Sequence, residues 1–202
     1  MWRWRNLSGP ARAVVWYFLF WTIEAFVDTW TRKQHLPNAY LFHISVWVET
    51  LLLGWAYHLA LRNERLKSWL LLAQAVFTAV AIADATFLSG INQMNRYARV
   101  LQVVLMLVYA FAYFEQWVRE LRVRSPWNDF MFVVSVGLSV YYTGSVMGYV
   151  TLKNDPEFSR LVAYSTAIII NLAYIFAMVL ITIGLWRDAN PQAEPSLRRA
   201  LH

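Results

Sequence analysis

"AYLFHISVWVETLLLGWAYHLALRNERLKSWLLLAQAVFTAVAIAD", residues 39–84, decides how the whole chain is read. Two apolar runs of about twenty residues flank "RNERLK", residues 62–67, where Arg62, Arg65 and Lys67 stand beside Glu64. A helix of about twenty residues is about 30 Å long, which matches the hydrocarbon thickness of a bilayer. Two such runs joined by a short charged hinge make the pattern of consecutive membrane spans.

The same alternation continues in both directions. Apolar runs fall near 12–30, 40–61, 69–88, 98–118, 127–150 and 161–186. The expectation is an all-α integral membrane bundle of six transmembrane helices. Residues 1–11 form a basic cytoplasmic segment ahead of a single domain over 12–186. Residues 187–202 form a polar cytoplasmic tail marked by Pro191 and Pro195. The basic, apolar start resembles a signal peptide, but no small-x-small cleavage site follows, so it reads as the first span. Composition agrees, with 59% hydrophobic and 15% charged residues against about 45–50% and about 25% in soluble domains.

Lys and Arg orient the bundle. Six spans place 12 of the 18 on one side, in groups such as Arg3, Arg5 and Arg12 or Arg119, Arg122 and Arg124; the other side has 6. The positive-inside rule then puts both termini in the cytoplasm, with the protein multi-pass in a bacterial cytoplasmic (inner) membrane. Trp69, Trp117, Trp127 and Trp186 fall at the predicted cytoplasmic helix ends, as an aromatic belt does. The net charge of +6 is spread through the loops, so it fits anionic headgroups of membrane lipids better than nucleic acid.

Polar groups inside the spans carry the functional expectation. A carboxylate at a helix centre costs about 2.5–3.5 kcal/mol to insert, so it faces protein or water and takes a partner. Glu24, Glu49 and Asp84 fall in the outer half, while Glu115 is close enough to the inner end to pair with Arg119 at i+4. Arg96 and Arg99 enter span four in the same layer, and Asn92, Arg96 and Arg99 would share a helix face at offsets 0, 4 and 7. His43, Tyr142, Tyr164 and, nearer the midplane, Asn171 complete the candidate lining. Glu24, Asp28 and Arg32 form an i, i+4, i+8 row in which Asp28 finds a local partner. Two readings follow. One is a register-fixing network of Glu49 or Asp84 with Arg99; the other is an outer-half pocket for a small ligand, lipid headgroup or proton.

Gly137, Tyr141, Gly144 and Gly148 lie on one face of span five. Gly144 and Gly148 form a GxxxG pair for close packing within the bundle or across a homodimer. Several chemistries are excluded. With no cysteine there is no disulfide or thiolate site, and with Lys33, Lys67 and Lys153 all in loops there is no retinal Schiff base. His43 and His58 are roughly 22 Å apart along one helix, too far for paired haem ligation. No metal or nucleophile motif is present, so no cofactor, metal or catalytic residue is assigned.

"HISVWVE" with His43 and Glu49, "INQMNRYARVLQ" with Arg99, "YAFAYFEQW" and "PWNDFMFVVSVGLSVYYTG" resemble a family of small uncharacterised bacterial integral membrane proteins, over roughly residues 38–187. That family usually has seven spans, with one helix ahead of a "WRWR"-like loop. The resemblance therefore implies either a helix upstream of this start or sufficiency of six. It implies no activity. The expected function is a receptor-like or accessory sensing module acting through a cytoplasmic or membrane signalling partner. An intramembrane enzyme on lipid or isoprenoid, with Glu49 or Asp84 as general base, is the alternative. A transporter ranks behind both, because no inverted repeat is visible.

Overall fold

The computed structural model describes residues 4–120, 125–150 and 156–190. It is all-helical, with six long helices: α1 (Gly9–Lys33), α2 (Ala39–Ala60), α3 (Glu64–Ala83), α4 (Arg96–Arg119), α5 (Phe130–Val150) and α6 (Pro156–Ala189). They match the six apolar runs in number and order. By length and composition, four described segments suffice to cross a membrane: Ala39–Ala60, Glu64–Leu88, Arg96–Arg119 and Tyr164–Ala189. α1 is not among them, because Trp, Tyr and Thr share its surface with the aliphatics and Glu24 and Asp28 interrupt it. The part of α5 whose side chains are described, Phe130–Val146, is apolar.

Local chemistry sets the helix ends. Ser8 starts α1, its Oγ accepting the Ala11 N–H at 3.4 Å, with Pro10 in the first turn where no backbone donor is needed. His35 ends it at φ 55°, with His35 N–H donating to Arg32 O and Leu36 N–H to Thr31 O, a Schellman closure without glycine. Asn63 caps α3 through the Arg65 N–H at 2.9 Å. Asp129 caps α5, its Oδ1 accepting from Phe132 N–H and from the Tyr113 hydroxyl of α4. Gln116 of α4 covers the end of α2, accepting the Arg62 N–H at 2.7 Å and donating to Ala60 O at 3.3 Å.

α2 is central. It packs on α1, α3 and α4, while α4 packs on α5 and α5 on α6. The α5–α6 seam is built from small residues. A Cβ on Gly137 would stand 3.3 Å from the Ala177 backbone, and one on Gly144 would stand 3.2 Å from Ala173 Cβ. The glycine face of α5 is therefore occupied by α6 of the same chain at these two positions; Gly148's contacts lie outside the described residues. At the α2–α3 seam, Gly54 leaves room for the Gln74 amide, which donates to Thr50 O at 2.9 Å. Large apolar side chains such as Phe26, Trp69, Phe87 and Trp186 project outward from the bundle, as they do on helices that face lipid.

The stretch joining α3 to α4 departs from the expected continuous face. α3 ends in a π-helical turn, Asp84–Leu88, and α4 begins only at Arg96. Asn92 sits in the turn before it, so it does not share a helix face with Arg96 and Arg99.

Candidate functional site, a buried ion pair and a side groove

Asn95 Nδ2 donates to Phe42 O at 2.7 Å, which aligns the first turns of α2 and α4. From that level Glu49 and Gln102 are each seven residues deeper, about 10 Å at 1.5 Å per residue. Arg99 lies one turn above them and reaches down. The register thus sets Glu49 and Gln102 at one depth on facing helices, with Arg99 in reach of both.

They form one cluster. Glu49 is fully enclosed, with Oε2 receiving Arg99 Nη1 at 3.3 Å and Gln102 Nε2 at 3.0 Å. Its Oε1 receives the Tyr142 hydroxyl of α5 at 3.0 Å. Arg99 also donates to Gln102 Oε1 at 2.8 Å and to the Tyr141 hydroxyl at 2.8 Å. The pair is largely buried, with 17% of the Arg99 side chain and 1% of the Glu49 side chain exposed. One carboxylate therefore joins α2, α4 and α5, with donors on both of its oxygens. Such a pair is not a simple source of stability, since desolvation offsets most of the attraction. Losing either partner alone is costly.

The other candidates disperse. Asp84, also fully enclosed, takes no part in the pair: its Oδ2 accepts the Ala98 N–H at 2.9 Å and its Oδ1 the Ser89 hydroxyl at 2.6 Å. Ala98 is the third residue of α4, so Asp84 caps α4 from the end of α3. Glu24 is half-buried and accepts from Ser45 Oγ at 3.1 Å. Asp28 pairs with Arg32 at 2.9 Å and accepts from Asn38 at 2.8 Å. His43 Nε2 lies 3.0 Å from Gln93 O; a carbonyl only accepts, so Nε2 carries the proton. That bond ties the 89–95 turn to α2.

Arg96 is exposed at the start of α4. Asn171 faces outward on α6 and donates to Ala167 O of its own helix at 2.7 Å. Tyr164 is exposed as well. Of the nine candidate lining residues, then, Glu49, Arg99 and Tyr142 come together and the other six do not. Gln102 and Tyr141 are the members that reading the sequence leaves out of the site. The signal for Gln102 was its position three residues after Arg99, on the same helix face. No comparable signal marks Tyr141, which reads as part of the glycine face.

Beside the cluster, a groove of about 680 Å³ runs along α1 from Phe18 to Lys33, with Tyr174 of α6 at its wall. The Tyr174 ring packs edge-on against Tyr141, with centroids 5.6 Å apart, so one aromatic contact separates the groove from the ion pair. Among the described residues, no three His, Asp or Glu side chains gather in a way that would hold a metal ion.

No protein-family model, curated protein or solved structure matches the chain.

Proposed function

We propose that the chain is a six-span protein of a bacterial cytoplasmic membrane, with both ends inside, working as a receptor-like or accessory sensing module. In this reading a small ligand or lipid acts on the outer half of the bundle, and a partner protein receives the resulting helix shift. The observation that carries it is the enclosed Glu49–Arg99 pair, which links α2, α4 and α5 through a single carboxylate. A pair of this kind has few intermediate arrangements. Protonating or displacing one member leaves the other charge buried, and three helices must adjust together. The surplus of Lys and Arg on one side supports the orientation.

A carboxylate enzyme is the weaker reading. Both Glu49 oxygens are engaged and the residue is fully enclosed, while Asp84 is committed to a helix cap. A general base needs open approach to the proton it takes. The resemblance to the small bacterial family remains our reading of the sequence motifs and adds no activity. A homodimer remains a proposal too, through whatever part of the α5 glycine face α6 leaves free.

The absence of cysteine permits a direct test. Single reporters Lys67→Cys, Ser125→Cys and Asn92→Cys are to be labelled in intact cells with a membrane-impermeant maleimide. Only Asn92→Cys should react; labelling of Lys67→Cys in intact cells would reverse the orientation or remove a span. In permeabilised cells, adding Glu49→Gln should change the Ser125→Cys labelling rate several-fold. An unchanged rate in a folded double variant would reduce the cluster to a static brace.

A further inference from the structure

The groove along α1 has a chemistry of its own. Phe18, Thr22, Ala25, Thr29 and Lys33 lie at offsets 0, 4, 7, 11 and 15, one continuous helix face. The two threonines do not make it polar, because each hydroxyl is turned onto its own helix, Thr22 to Phe18 O and Thr29 to Ala25 O, both at 2.8 Å. The acids of α1 are engaged elsewhere, Glu24 with Ser45 and Asp28 with Asn38 and Arg32. Lys33 is thus the charged residue of the lining, and it stands at one end.

Size narrows the occupant. Fifteen residues of helix cover about 22 Å, while half of a bilayer including its headgroups is about 20–22 Å. The groove therefore extends over one leaflet, hydrocarbon to headgroup. Its 680 Å³ falls in the range of small-molecule sites.

We propose that this groove holds one acyl chain of an anionic phospholipid, with its phosphate on Lys33. This rests on the membrane-spanning reading above and names the ligand class for it. The groove's lining includes Tyr174, whose ring packs on Tyr141, and the Tyr141 hydroxyl accepts from Arg99. Lipid occupancy is in this way placed one aromatic contact from the Glu49–Arg99 pair.

The test is native mass spectrometry of the full chain in detergent, titrated with equal amounts of phosphatidylglycerol and phosphatidylcholine of the same chain length. The wild type should retain one phosphatidylglycerol about five-fold in preference, the discrimination that one lysine near a surface provides. Lys33→Gln should bring the two lipids to equal retention. Ala25→Trp, placed in the groove itself, should remove the retained lipid of either kind. Both positions are exposed, so neither change disturbs the packed interior.

Equal retention of the two lipids by the wild type overturns the proposal. So does a phosphatidylglycerol adduct that survives Ala25→Trp, or a lipid-free dimer that Ala25→Trp dissociates. Any of these with the cysteine labelling as expected removes the groove and leaves the six-span reading standing; failure of the labelling removes both.

Discussion

The middle of α2 and the end of α3 each hide a carboxylate completely, and the two are satisfied in opposite ways. Glu49 receives side chains only: a guanidinium, an amide and a phenol from two other helices. Asp84 receives a backbone N–H of α4 and the nearby Ser89 hydroxyl. The first is matched by a full charge, the second by the positive end of a helix dipole. This contrast teaches how to assign a role to an acid buried in a bundle. Burial alone does not distinguish a coupled charge from a helix cap; the identity of the donors does.

The contrast is most strongly challenged by removing the cation. Arg99→Leu leaves Glu49 enclosed without its counter-charge, and we expect a loss of about 3–5 kcal/mol in detergent unfolding. A loss below about 1 kcal/mol would mean that Glu49 is held by Gln102 and Tyr142 alone. The pair is isolated more cleanly by a cycle of Glu49→Gln, Arg99→Gln and the double variant. The double variant should be milder than the sum of the single losses, with a coupling of about 0.5–3 kcal/mol. Simple additivity would remove the ion pair as the link between α2 and α4.

Asp84 should respond differently. Asp84→Ala deletes the acceptor for the Ala98 N–H and should cost about 0.5–2 kcal/mol, the range for a lost helix cap. Asp84→Asn keeps an oxygen for that N–H and an amide beside Ser89, so it gives up only the charge at the helix end, about 0.3–1 kcal/mol. Equal losses from Ala and Asn would mean that the charge matters more than the hydrogen bond, and the cap assignment would have to be replaced.

Much of this was legible in the sequence for a plain reason. Hydrophobic run length is a local property, and all six helices follow from it, including α1, which Glu24 and Asp28 interrupt. The Asp28–Arg32 and Glu115–Arg119 pairs also follow, because i+4 spacing on a helix is local. The choice of Glu49 over Asp84 as the partner of Arg99 was not legible. It depends on the π-helical turn at 84–88, which turns Asp84 onto the start of α4, and on a register between α2 and α4 that Asn95 and Phe42 fix across 53 positions. Asn171 misled for a related reason: a polar residue near the middle of an apolar run suggests an inward face, yet its own Ala167 carbonyl satisfies it on the outside.

Glu24 gives the smallest expected effect and the sharpest control. It sits in the same half of the bundle as Glu49 and would count equally if every acid in a span were part of one site. It is only half-buried, however, and its hydrogen-bond partner is a neutral serine. Glu24→Gln keeps an oxygen for the Ser45 hydroxyl and removes a charge whose hydrogen-bond partner is neutral, so we expect a change within about 0.5 kcal/mol. Thermal unfolding beside Arg99→Leu in the same detergent gives the measurement. A Glu24→Gln loss approaching that of Arg99→Leu would place Glu24 inside the cluster's electrostatics, and charge in the half-bundle would then be shared rather than confined to one pair.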